Sequence, residues 1–160
     1  MGENERPKAA FFSFTCCEGC QLVVLSCEEE LPDILRLVHI VNFREAMTEK
    51  SDDYDIAFVE GSISRKEEIR KLKKIRKRAR IVVALGACSS TGGLNCLKNR
   101  FPMEEVKERV YGKKAARDNP AVDTIPARPI DAYIDVDYYI HGCPIPKKEF
   151  LSVLTSLLLR

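Results

Sequence analysis

The sequence predicts an α/β protein built on a mostly parallel sheet with helices on both faces. Three observations carry this prediction. Short apolar runs alternate with helical stretches along the chain. Several runs are apolar without alternation, as strands covered on both faces must be. Three of them lead into cysteines, at the edge where parallel sheets build their sites. At 160 residues the chain suits one domain with a sizeable core, taken here as residues 1–160.

AAFFSF (9–14) reads as the first buried strand, and the cysteine-rich CCEGC follows it directly. A helix is expected through LVVLSCEEEL (22–31), with Pro32 near its end, and LRLVHIVNF (35–43) as the second strand. YDIAFVEGSI (54–63) is the third, closed by Glu-Gly where a strand gives way to a loop. Next comes a basic helix from Ser64 to Arg80, with Ile69, Leu72 and Ile75 as its apolar stripe. RIVVALGAC (80–88) is the central strand, its tip carrying Gly86, Cys88 and the loop SSTGG. A short helix is expected through MEEVKERVYG, and NPAVDTIPARPID is read as irregular. DYYIHGCPIPKKEF repeats the pattern of apolar residues ending at glycine and cysteine, and residues 147–159 form a closing helix.

Composition narrows the function. A net charge of +2 argues against nucleic acid as the main partner, and no aromatic interleaving supports it. The basic helix reads first as a solvated face and second as a dock for an acidic partner. The opening MGENERPKAAFFSF lacks a secretory apolar core, and no run of about 18 apolar residues occurs. A soluble, cytoplasmic protein is therefore expected. Seven cysteines in such a chain point to metal or redox chemistry rather than a disulfide scaffold.

Cys16, Cys17 and Cys20 follow the first strand, Cys88 the central strand and Cys143 the last. In a parallel sheet these ends share one edge, so distant cysteines can meet. Four thiolates hold either zinc or an iron–sulfur cluster. Cys17 and Cys20 form a CxxC pair, while Cys88 and Cys143 come singly from separate loops. Structural zinc sites usually use two tight pairs, so one pair with two distant ligands better suits a four-iron cube. Gly19, Gly86, Gly92, Gly93 and Gly142 would let backbone approach the site, and Pro144 would stiffen the final loop. A dinucleotide site is disfavoured, because no GxGxxG opens the first helix.

The combination CCEGC, VEGS, GACSSTGG and HGCPIP, in that order, resembles the small electron-transfer subunit of nickel–iron hydrogenases. It looks closest to the cytoplasmic kinds, with the 20 kDa subunit of NADH:quinone oxidoreductase as a cousin. The resemblance runs from about Lys8 to Leu159. It implies a flavodoxin-like domain with one proximal [4Fe–4S] cluster held by Cys17, Cys20, Cys88 and Cys143. It also implies that the chain performs no bond chemistry itself and has no catalytic residue. The large catalytic subunit would hold the nickel–iron centre, and ferredoxin-like or flavin-containing subunits would exchange the electrons. Flavin is not expected at the cysteine edge itself.

Two features depart from that pattern. The complex I cousin uses an adjacent cysteine pair as ligands, and Cys16–Cys17 is such a pair. The EGC that follows matches the hydrogenase pattern, so Cys16 is assigned as a neighbour. Many hydrogenase small subunits also continue into a further cysteine-rich segment, whereas this sequence ends at Arg160. Either no separate C-terminal cluster domain exists and another subunit takes the electrons, or the chain is incomplete.

Glu18 and Glu60 are expected near the cluster at the large-subunit interface, as hydrogen-bonding groups or a proton path. His141 has the same candidate role, against the plain one of closing a strand. Cys27 and Cys96 are read as structural, and His39 as a core or strand residue. Two other functions stay open: a complex I-like subunit passing electrons to quinone, and a zinc-stabilised binding module without redox work.

Overall fold

The core is a five-stranded sheet of order β2-β1-β3-β4-β5 in which every pairing is parallel. A computed structural model describes residues 6–119 and 122–158. The strands are β1 (Lys8–Ser13), β2 (His39–Asn42), β3 (Ile56–Glu60), β4 (Ile81–Leu85) and β5 (Tyr138–Ile140). The helices are α1 (Gly19–Leu25), α2 (Leu31–Leu37), α3 (Lys66–Arg78), α4 (Gly86–Thr91), α5 (Met103–Tyr111), α6 (Lys113–Asp118) and α7 (Lys147–Leu158). This strand order is the flavodoxin-like one, with the chain reversing direction across the sheet between β1 and β3.

Alternate residues of each strand feed two cores. Phe11, Phe58, Val83 and Leu85 face Val24, Ile34, Phe150 and Leu154 from α1, α2 and α7. Ala10, Ala57, Val59, Val82 and Ala84 face Leu72 and Ile75 of α3 on the other side. Every residue of β3 is buried, which explains its apolar run from Ile56 to Val59 ahead of Glu60. Phe58 anchors the first core, with ring centroids 4.8 Å from Phe11 and 5.7 Å from Phe150.

The register positions the site. Ser13 pairs with Glu60, Glu60 with Leu85, and Leu85 with Ile140. These are the last residues of β1, β3, β4 and β5. Four connections therefore leave the sheet from one row, the one after β4 being the helix α4 itself.

Several predicted boundaries change. The expected helix over 22–31 is two short helices, and Pro32 lies in the first turn of α2 rather than at the end of the first helix. Proline fits there because first-turn amides have no intrahelical acceptor. Residues 35–37, predicted as strand, complete α2, and the strand itself is limited to His39–Asn42. The central strand stops at Leu85, where Gly86 at φ 85° turns the chain into α4, so Cys88 is helical. The basic helix forms as expected, with Glu68 accepting the Ser64 and Arg65 amides at 2.8 and 3.0 Å. Its acidic first turn and basic last turn complement the helix dipole. The predicted irregular stretch contains a 3-10 turn at Ile130–Ala132, with residues 120 and 121 outside the described range. A longer 3-10 segment, Gly93–Arg100, and α6 were not anticipated. Leu159, the last residue of the expected closing helix, also lies outside the described residues.

Candidate functional site

The loop after β1 supplies Cys16, Cys17 and Glu18, and Cys20 lies in the first turn of α1. Cys88 sits in α4 after β4, and Cys143 in the loop after β5. Glu60 is the final residue of β3. The Cys88 thiol has Cys143, Cys17 and Glu60 as electrostatic neighbours, and Cys20 in turn neighbours Glu60 and Cys88. The four predicted ligands thus share one end of the sheet. All are free thiols; Cys20 is buried, Cys88 half-buried, and Cys17 and Cys143 exposed. Among the described residues, no three His, Cys, Asp or Glu side chains are gathered closely enough to hold a single metal ion.

Glycine makes the close approach possible at two points. A Cβ on Gly86 would run into Cys20 Sγ and sit 3.3 Å from the Gly142 carbonyl. Gly93, at φ 56°, would bring a Cβ within 3.0 Å of Cys88 Sγ. Both have backbone conformations that side chains disfavour. The Ala87 amide donates to the Gly142 carbonyl at 2.7 Å, tying the Cys88 helix to the Cys143 loop. The Cys143–Pro144 peptide is cis.

Glu60 is 2% exposed. Its Oε1 accepts the Cys20 amide at 3.1 Å, and its Oε2 accepts the Gln21 amide and Gln21 Nε2, each at 3.1 Å. These donors satisfy a carboxylate that would otherwise be costly to bury, and they fix the backbone at Cys20. Burial pushes the Cys16 and Cys20 thiols up to about 12, with the Glu60 carboxylate adding to both. Burial also raises Cys88, reinforced by Cys143, Cys17 and Glu60. Free thiols so placed hold their protons at neutral pH; a bound metal cation reverses that preference.

The other predicted residues divide. Glu18 has φ 63°, and among the described residues it is the one non-glycine with positive φ. It pairs with Arg44, from the loop after β2. Burial works against its ionisation, but the Ser13 hydroxyl and Arg44 outweigh this and lower its pKa. Cys16 Sγ donates to the Phe14 carbonyl at 3.7 Å. His141 is exposed, stacks on Tyr139 with centroids 5.9 Å apart, and has Nδ1 3.3 Å from Ser90 Oγ. Cys27 is fully buried, as expected, and Cys96 Sγ donates to the Ala127 carbonyl at 3.2 Å. His39 is a strand residue, but exposed.

The sequence reading missed Gln21, Arg44 and Asn95. Gln21 lies next to a cysteine, yet nothing local announces its contact with Glu60 across the sheet. Asn95 Nδ2 donates to the Thr15 carbonyl at 2.8 Å and to Ser62 Oγ at 3.0 Å.

The sequence pattern of the NADH ubiquinone oxidoreductase 20 Kd subunit family matches residues 17–157, from the CxxC through most of α7. The chain belongs to that family. Among its curated relatives is the delta subunit of sulfhydrogenase 2 from Pyrococcus furiosus, 32% identical over 151 residues. That match covers 94% of this chain and 61% of the relative. The iron-sulfur subunit of an F420-non-reducing hydrogenase from Archaeoglobus profundus is 30% identical over 181 residues, covering 94% and 56%. The chain thus spans less than two thirds of the length of these two relatives. A solved NAD+-reducing [NiFe]-hydrogenase contains a chain that superposes with a TM-score of 0.86 at 27% identity. That superposition covers 97% of this family member and 92% of the other chain. A [NiFeSe] hydrogenase chain from Desulfovibrio vulgaris Hildenborough shares the fold, with a TM-score of 0.66 at 16% identity.

Proposed function

We propose that this protein is the electron-transfer subunit of a cytoplasmic nickel–iron hydrogenase, with one [4Fe–4S] cluster held by Cys17, Cys20, Cys88 and Cys143. The observation that carries the reading is the row of strand ends Ser13, Glu60, Leu85 and Ile140. From that row the loops bring four cysteines to one edge, against glycine backbone that leaves room beside two of the sulfurs. The donor set fits the group: a cube takes one cysteine at each iron corner, so one close pair and two single ligands suffice. The hydrogenase names of the relatives support the same reading.

When bound, such a cluster supplies reversible one-electron transfer. The chain's own residues hold and tune it. Glu60 fixes the start of α1 and so the backbone of Cys20, while Arg44 holds Glu18 beside the ligand loop. The nickel–iron centre belongs to a large catalytic partner docked on the cysteine edge. Ferredoxin-like or flavin-containing subunits complete the path. Glu18, Glu60 and His141 remain our candidates for hydrogen bonding or proton movement at that interface.

The test is iron, acid-labile sulfide and zinc per chain, on complex purified without oxygen. Four irons and four sulfides per copy, after subtracting partner clusters, are expected. One zinc and no sulfide would overturn the proposal in favour of a non-redox binding module.

A further inference from the structure

We propose that Asn95 is a positioning residue for the cluster, aligning the Cys88 ligand and holding an amide dipole against its sulfur. The inference rests on the cluster reading above. Asn95 belongs to the 3-10 segment after the Gly92–Gly93 turn, seven residues beyond Cys88. Its Nδ2 reaches the Thr15 carbonyl just before the CCEGC loop, Ser62 Oγ just after β3, and lies 3.9 Å from Cys88 Sγ. One side chain therefore joins three of the segments that leave the aligned strand ends: two loops and the helix α4.

The orientation of the amide follows from its partners. A backbone carbonyl only accepts, so the group facing Thr15 must be the NH2 end. The positive end of the amide dipole is thereby fixed on the side of Cys88. The Ser62 hydroxyl also donates to the Thr15 carbonyl at 3.3 Å, and the Thr15 and Ser62 backbones exchange hydrogen bonds at 3.0 and 3.1 Å. The amide is thus braced on a rigid corner of the fold. The positive end of a dipole beside a ligand sulfur favours the more negative, reduced cluster, so Asn95 raises the reduction potential.

The experiment is a redox titration followed by electron paramagnetic resonance on the intact complex, comparing wild type, Asn95→Leu and Ser62→Ala. Asn95→Leu keeps the volume and removes the amide. Its one-electron reduction equilibrium should weaken by roughly tenfold, a shift of about 59 mV to lower potential. Ser62→Ala removes one partner of the amide but keeps the amide itself, so it should lower the potential by less than Asn95→Leu does. Pulsed resonance on wild type carrying side-chain 15N-asparagine should detect nitrogen coupled to the cluster. This second measurement needs no variant to fold. Absence of the coupling, or an unchanged potential in Asn95→Leu, overturns the role of Asn95. Absence of iron and sulfide in wild type overturns the cluster reading itself.

Discussion

The buried carboxylate of Glu60 accepts the backbone amide of Cys20 at 3.1 Å, although the residues are 40 positions apart. A strand end thereby determines how the CxxC helix begins. The contact makes Glu60 a structural member of the cysteine edge.

Replacing Glu60 with glutamine should destabilise the fold. The amide has one acceptor oxygen where the carboxylate uses two, so an NH2 group would face a buried N–H. Losing charge-assisted bonds of this kind costs about 2 kcal/mol. Urea unfolding of the variant should show a lower midpoint with an unchanged slope; an unchanged midpoint would mean the pairing contributes nothing.

Among the cysteines, serine at 17, 20, 88 or 143 should each reduce iron and sulfide content and change the resonance signal. Serine at 16 or 96 should leave both intact, because those sulfurs contact the Phe14 and Ala127 carbonyls. Loss of the cluster in Cys16→Ser, with retention in Cys20→Ser, would transfer the ligand role to the adjacent pair.

Gly86→Ala should damage both fold and site. Its left-handed conformation alone costs a side chain about 1–2 kcal/mol, and the new methyl would run into Cys20 Sγ. The expected result is a lower melting temperature together with reduced iron content. Normal iron content in this variant would show that Cys20 can move without consequence.

Phe58→Ala should cost about 3–5 kcal/mol, the usual loss for a buried aromatic ring, since Phe58 is 1% exposed and stacks on Phe11. Its effect should appear as a lower urea midpoint. A change below about 1 kcal/mol would show that the first core collapses around the gap.

Asp137 predicts a component of acid sensitivity away from the cysteines. Burial works against its ionisation, but the Val82 amide at 2.7 Å and Arg76 at 2.5 Å outweigh that effect and lower its pKa. Between the folded value and the unfolded value of about 3.9, the unfolded state binds more protons, so stability rises with pH. The contribution is present above about pH 4 and is lost as pH falls through the folded pKa. Asp137→Asn should therefore show a shallower loss of stability below about pH 4; identical acid profiles would exclude Asp137 as a source.

The strand–helix alternation, the basic amphipathic helix and the grouping of cysteines behind β1, β4 and β5 were legible in the residues alone. These are periodic or local signals, written in apolar runs and in residues that end them. Helix boundaries near Pro32 and Gly86 were less legible, because proline and glycine each suit both the start and the end of an element. That Ser13, Glu60, Leu85 and Ile140 stand in one row emerges from the folded chain, since strand register depends on pairings between distant segments. The same holds for Glu60 on Cys20, Arg44 on Glu18 and Asn95 between Thr15 and Ser62. A polar side chain carries no periodic mark of its partner; the partner is chosen when the sheet closes and each buried polar group must find a hydrogen bond.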